Sequence, residues 1–237
     1  MLVGILFTVI VSLAIGTFSV LVCMARRKAN PRFVTPAVPA YALFWLSMAV
    51  VWYLVAAIDF LGYFKLIDLA SILIYIMQVV VGLSLIAAAC TLWHMLGFTS
   101  KKGETVVIAI YIIFFCVFIW SLFRFGVQPQ QESFFVSQII TSAATRIIFT
   151  IAFMPLLLAG IFLIFKHARA QNRQSPGEKF LFVGNLGLVL LGVSGFVDET
   201  GLAVDWFVTV SRLITLVSSI LAYSAVAALQ EPDELVI

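Results

Sequence analysis

Seven long apolar stretches, separated by short polar segments, follow one another along the chain. Crossing a hydrocarbon core of about 30 Å takes roughly 20 apolar residues in a helix, and each stretch is close to that length. They cover residues 1–25, 37–58, 69–97, 105–123, 147–165, 180–197 and 206–229, and only Arg212 interrupts the last of them. The pattern predicts an all-α integral membrane protein, a bundle of seven transmembrane helices that forms one domain over residues 1–237.

Two segments outside the spans carry a prediction of their own. Residues 133–144 are amphipathic, and we expect either an interfacial helix there or an extension of the fifth span. Residues 231–237 are acidic and predict a short inner tail.

The basic residues predict the orientation of the bundle. Ten of the fourteen lysines and arginines follow spans one, three and five, and an excess of such residues marks the cytoplasmic side of a membrane. They are Arg26, Arg27, Lys28, Arg32, Lys101, Lys102, Lys166, Arg169, Arg173 and Lys179. We therefore expect the N-terminus outside and the C-terminus inside. No charge precedes the first basic cluster, which is typical of a retained span and not of a cleaved signal peptide.

The first three and the last three spans share several features. Spans one and five both end in basic loops, and spans two and six end outside in Asp59 and Asp198. Spans three and seven begin at Asp68 and Asp205. A duplication of the form 3 + 1 + 3, with span four as the linker, explains these features. Short loops and alternating topology explain them equally well.

Polar side chains form stripes on two of the spans, the seventh and the third. On span seven one helical face carries Asp205, Thr209, Arg212, Thr215, Ser219 and Tyr223. On span three the stripe consists of Asp68, Ser71, Tyr75, Gln78 and Gly82. Span two adds an aromatic face that ends at Asp59. Since charged groups are costly at bilayer depth, these stripes are expected to face the interior of the bundle.

Two interpretations of the stripes follow. In the first, an outward-facing polar cavity between spans three and seven binds a small solute. Its binding residues are Arg212, Asp205, Asp68, Tyr75, Gln78 and Asp59. In the second, Arg212 forms a buried structural ion pair with Asp205 or Asp68, and the hydroxyl groups bond to neighbouring backbone.

The composition excludes several classes of protein. Hydrophobic residues make up 63% of the chain and charged residues only 11%, with a mean hydropathy of +1.16, so the chain is expected to lie in lipid. No basic patch suggests nucleic acid. Cys23, Cys90 and Cys116 lie in apolar runs, which argues against a disulfide framework and a closed zinc site.

No known catalytic or cofactor motif is present, so we expect no enzyme activity, no cofactor and no metal. His94 and His167 lie near inner span ends, where haem ligation is geometrically possible but an interfacial position is favoured. The seven-span topology with an outer N-terminus is similar to that of microbial rhodopsins, whose seventh span carries the lysine that binds retinal. Span seven has no lysine here, which excludes covalent retinal.

Three functions remain for a multi-pass protein of a cell membrane. The preferred hypothesis is a non-enzymatic protein that binds or transports a small molecule. The second is an accessory or scaffold subunit of a larger membrane complex, with the phenylalanine-rich span four as an interface to other subunits. The third is a sensor or receptor that signals through a separate partner. The lipid bilayer is the partner common to all three.

Overall fold

The computed structural model describes residues 2–130, 138–168, 175–199 and 205–230. Within these ranges the chain forms seven long helices and one short antiparallel β ribbon. The first five helices, α1 to α5, are Leu2–Arg27, Ala37–Tyr63, Ile67–Met95, Lys101–Phe125 and Ala143–Ala168. The ribbon strands are β1, Val127–Gln130, and β2, Gln138–Thr141. Helix α6 runs through Pro176–Lys179, a π-helical turn at Phe180–Gly184, and Asn185–Glu199, and α7 is Asp205–Ala227.

All seven helices are long and apolar enough to cross a membrane. The protein is therefore a polytopic membrane protein, as the apolar stretches predict. Three helices begin before their apolar stretch at a serine that caps them, and at the start of α5 Ser142 Oγ accepts a hydrogen bond from Thr145 N. Ser100 Oγ accepts a hydrogen bond from Gly103 N at the start of α4, and Ser175 Oγ accepts one from Glu178 N at the start of α6. These caps satisfy backbone donors that the first helical turn leaves free.

The helices form a closed series of contacts. Each helix packs against its neighbours in sequence, and α7 packs against α1, so the last helix closes the bundle onto the first. Helices α1 and α7 run in the same direction, since Gln230 Nε2 donates to Ala25 O at one end and Arg212 contacts Ser12 farther along. We call the end with Arg26, Arg27 and Lys101 the basic end, and the opposite end the acidic end.

Helix α2 forms much of the interior of the bundle. It packs against both α1 and α3, and Tyr41 and Trp45 are fully buried. A helix that is apolar on all sides is suited to such a central position. Helices α4 and α5 lie farther out and expose large side chains such as Phe123 and Phe165. Lipid is the natural environment of these exposed faces.

The β ribbon differs from the helix expected over residues 133–144. Residues 138–141 form β2, which pairs with β1 so that Val127 lies opposite Thr141 and Gln130 opposite Gln138. The helical prediction is wrong for these four positions. Ile139, Ile140 and Thr141 are β-branched and fit a strand better than a helix. The remainder of the segment up to residue 137 lies outside the described residues, and α5 begins at Ala143.

Helix α5 continues through Pro155. Proline has no backbone N–H, so the carbonyl of Ile151, four residues earlier, loses its normal helical donor. The neighbouring helix supplies a donor one residue away, because Tyr111 Oη of α4 donates to Ala152 O over 3.0 Å in a buried position. This contact joins α4 to the turn of α5 that lacks one backbone hydrogen bond because of Pro155.

We expect Tyr111→Phe to destabilise the protein by about 1 kcal/mol, since it deletes one buried hydrogen bond and leaves the ring in place. The change can be measured as the free energy of unfolding of the purified protein in mixed detergent micelles. Tyr53→Phe is the matched control, because Tyr53 is exposed. Equal effects of the two substitutions would contradict the role given to the Tyr111 hydroxyl.

Candidate functional site

A buried ion pair joins the second and seventh helices. Arg212 Nη1 of α7 donates to Asp59 Oδ2 of α2 over 2.6 Å. The two residues are 5% and 6% exposed, so both charges are removed from solvent. Asp59 lies four residues before the end of α2 at Tyr63, roughly 6 Å below that end. The pair therefore lies inside the bundle near its acidic end.

The first helix completes this site. Arg212 Nη1 lies 3.4 Å from Ser12 Oγ, and Ser12 is fully buried. Thr8, one turn earlier on α1, is fully buried as well. The guanidinium is thus held where α1, α2 and α7 meet. We call the group Ser12, Asp59 and Arg212 the charge site.

Hydroxyl groups continue the polar interior along the contact between α6 and α7. Ser194 Oγ of α6 lies 2.8 Å from Ser211 Oγ and 2.5 Å from Thr215 Oγ1 of α7. Nearer the basic end, Ser218 Oγ donates to Gly187 O. All five residues lie within the α6–α7 pair, and we call this row of contacts the hydroxyl seam. It begins next to Arg212, which follows Ser211 directly.

A second polar cluster lies at the π-helical turn of α6. Tyr41 Oη donates to Gly184 O over 3.1 Å, and Asn185 Nδ2 donates to Gly160 O of α5 over 2.6 Å. Asn185 is fully buried, and its Oδ1 has no hydrogen-bond partner among the described residues. A π-helical turn leaves a helix with irregular backbone bonding and is frequent at functional positions. Here Tyr41 binds the carbonyl group at the last residue of the turn, and Asn185, the next residue, binds a carbonyl group of α5.

Three of the other residues expected to line a cavity, Asp68, Tyr75 and Gln78, belong to α3 and not to the three helices of the charge site. Asp68 is exposed at the beginning of α3. Tyr75 points towards α4, where its ring stacks on Phe123 at a centroid distance of 5.5 Å. Gln78 is buried within α3. Asp205 begins α7, and its side chain lies outside the part of the chain that the structure describes.

The partner of Arg212 is the main difference from the sequence analysis. One interpretation of the sequence pairs Arg212 with Asp205 or Asp68, whereas the carboxylate bound to Arg212 among the described residues is that of Asp59; the side chain of Asp205 lies outside them. Ser12, Ser194 and Asn185 were not predicted as site residues. Ser12 could have been found from a spacing signal, because Thr8, Ser12 and Ser19 are all buried and lie on one face of α1. No comparable signal marks Asn185.

The two histidines have local hydrogen-bond partners. His94 Nε2 lies 3.0 Å from Glu104 Oε1, which joins the end of α3 to the start of α4 at the basic end. His167 Nδ1 lies 2.9 Å from Leu163 O within α5. Among the residues described by the structure, no three histidine, cysteine or acidic side chains group together as metal ligands.

Comparison of the chain with protein-family models, curated proteins and solved structures finds no match. What the protein does must therefore be inferred from the geometry of its own residues.

Proposed function

We propose that the protein binds or transports a small solute at the charge site, where Arg212 anchors an acidic group of the solute in exchange for Asp59. The buried pair of Arg212 and Asp59 carries this proposal. Charged groups at membrane depth are costly and usually mark the path of a substrate or an ion. The guanidinium is a planar fork that binds carboxylate and phosphate groups equally well, so a solute carboxylate can replace that of Asp59.

The hydroxyl seam supports the same proposal. The Ser194 hydroxyl contacts the hydroxyl groups of Ser211 and Thr215, and Ser211 directly precedes Arg212 in α7. Hydroxyl groups both donate and accept hydrogen bonds, so they can rearrange around a polar solute. The polar cluster at the π-helical turn lies farther towards the basic end. The site proposed here is centred on α1, α2 and α7, whereas the sequence favoured spans three and seven.

We also propose the orientation that the basic residues favour, with the N-terminus outside and the C-terminus inside. Exposed basic residues such as Arg27, Lys102 and Lys166 lie at the ends assigned to the inside. In this orientation the charge site is nearer the outer surface. The 3 + 1 + 3 duplication stays a prediction, to be tested by the similarity of the two three-helix units in an experimental structure.

The proposal can be tested by native mass spectrometry of the protein extracted gently from its source membrane. We expect a 26.1 kDa chain with a discrete non-lipid adduct. The double variant Asp59→Asn/Arg212→Gln removes both charges but keeps hydrogen-bonding groups, and we expect it to fold without the adduct. The control is His94→Gln/Glu104→Gln, which alters a polar side-chain contact between α3 and α4 at the basic end. A wild-type chain without an adduct, or an adduct that persists in the double variant, contradicts the proposal.

A second candidate function is that of an accessory subunit, and the surface of α4 favours it. This helix exposes Ile113, Trp120 and Phe123 at 61–67% of their surface. A contact with another membrane protein along this row would pack large apolar side chains that otherwise face lipid. Extraction as a defined assembly with unrelated subunits would support this function, and a monomeric particle would count against it.

A further inference from the structure

Four basic residues lie together where α1 ends. Arg26, Arg27, Lys28 and Arg32 are all exposed. None of them takes part in an ion pair with another described residue. We call these four residues the α1 basic cluster. Its charges are available to a partner outside the bundle.

The backbone that carries the cluster is tightly hydrogen-bonded. Asn30 N donates to Leu229 O, and Asn30 Oδ1 accepts from Arg32 N over 2.9 Å. Phe33 N donates to Asn30 O, so consecutive turns link the end of α1 to the start of α2. Gln230 Nε2 binds Ala25 O and fastens the segment to the end of α7. The four cations are therefore presented from a fixed backbone.

An exposed apolar stripe on α1 leads directly to the cluster. Ile10, Leu13 and Met24 are 63%, 44% and 52% exposed, and Thr17 between them is exposed as well. Their spacing of three, four and seven residues keeps them on one helical face. Arg27 and Lys28 follow Met24 by three and four residues, so they lie at the end of the same face, where α1 ends. An acyl chain lying along this stripe would place its headgroup at the cluster.

We propose that the α1 basic cluster binds the phosphate of an anionic lipid headgroup, with one acyl chain of that lipid on the stripe from Ile10 to Met24. Arginine side chains bind phosphate oxygens through two parallel N–H groups, and lysine adds a point charge. Basic residues next to a transmembrane helix attract anionic lipids. The apolar side chains of the stripe select a lipid over free phosphate, since free phosphate gains nothing from them.

Orientation of the protein during insertion also uses basic residues, but it requires no bound lipid afterwards. The two roles therefore separate in the purified protein. A lipid site retains an anionic lipid in preference to a neutral one, whereas charges that serve only insertion show no such selectivity. The charge site lies at the other end of the bundle, so this inference does not depend on the proposed function.

The test uses the full chain in detergent, titrated with dioleoyl phosphatidylglycerol or dioleoyl phosphatidylcholine and observed by native mass spectrometry. We expect the wild type to prefer phosphatidylglycerol. The variant Arg27→Gln/Lys28→Gln should weaken its binding about thirtyfold and leave phosphatidylcholine binding unchanged. The matched control Lys101→Gln/Lys102→Gln removes two exposed charges at the same end and should retain the preference.

Several outcomes would overturn the proposal. The first is a wild type without selectivity between the two lipids, a result that does not require any variant to fold. The second is an equal loss in both variants, which would indicate general attraction by net charge. The third is displacement of phosphatidylglycerol by millimolar inorganic phosphate, which would identify free phosphate as the ligand.

Discussion

Replacing Asp59 with leucine is expected to destabilise the protein by about 3–5 kcal/mol, because the substitution leaves the guanidinium of Arg212 buried without its carboxylate. The double variant Asp59→Leu/Arg212→Met should recover most of this loss. An apolar pair of similar volume has no charge to desolvate, and such replacements are often neutral or stabilising. Both effects can be measured as the change in the free energy of unfolding of each variant, relative to the wild type, in mixed micelles.

Asp68→Leu is the control for this experiment. Asp68 is exposed, so its replacement should change stability by less than about 0.5 kcal/mol. If the double variant loses as much stability as the single variants Asp59→Leu and Arg212→Met combined, Asp59 and Arg212 are not energetically coupled. The same double variant also separates structure from function. A stable protein without its solute adduct would show that the pair serves binding and is not needed for folding.

Replacing Gly187 with leucine is the second substitution with a large expected effect. A Cβ atom at this position would lie 3.0 Å from Ser218 O, a backbone atom of α7 that cannot rotate away. Helices α6 and α7 would have to separate, and the Ser218–Gly187 hydrogen bond would break with them. We expect a loss of about 3 kcal/mol or more. The midpoint of thermal unfolding and the fraction of monodisperse protein after size-exclusion chromatography report it.

Gly195 lies on the same helix and serves as the matched control. A Cβ atom there meets no atom within 4 Å, so Gly195→Leu should be tolerated. It should even stabilise the helix by up to about 0.8 kcal/mol, because leucine is the better helix former. If both variants unfold alike, the close approach of α6 and α7 at Gly187 is not what limits the substitution.

The seven helices could be predicted because length and hydropathy alone define a membrane span. The inward face of α7 could be predicted for a similar reason. Arg212, Thr215 and Ser219 are spaced for one helical face, and the structure buries all three. Val210, Leu213 and Val217 on the other face are exposed. Which side chains share a face depends only on their spacing within one helix, and that spacing can be read from the sequence.

The partners of these faces could not be predicted, because they depend on the rotation and neighbours of each helix. Arg212 and Asp59 are 153 residues apart, and no spacing rule links them. Helix α3 shows the same limit. Its polar stripe is correctly periodic, but the helix is rotated so that Tyr75 meets Phe123 of α4. The π-helical turn follows from no spacing rule either, and its contact with Tyr41 joins residues 143 positions apart.

The closure of the bundle by α7 has a consequence for biosynthesis. Asp59 is translated 153 residues before Arg212, which corresponds to roughly 8 to 30 s at about 5–20 residues per second. Throughout that interval the nascent chain holds an acidic side chain in or near the translocon without the cation that neutralises it in the mature protein. Release of α7 from the ribosome is thus the event that commits the chain to its final assembly. A chain that stalls before α7 lacks the cation for Asp59 together with every contact that α7 makes with α1 and α6.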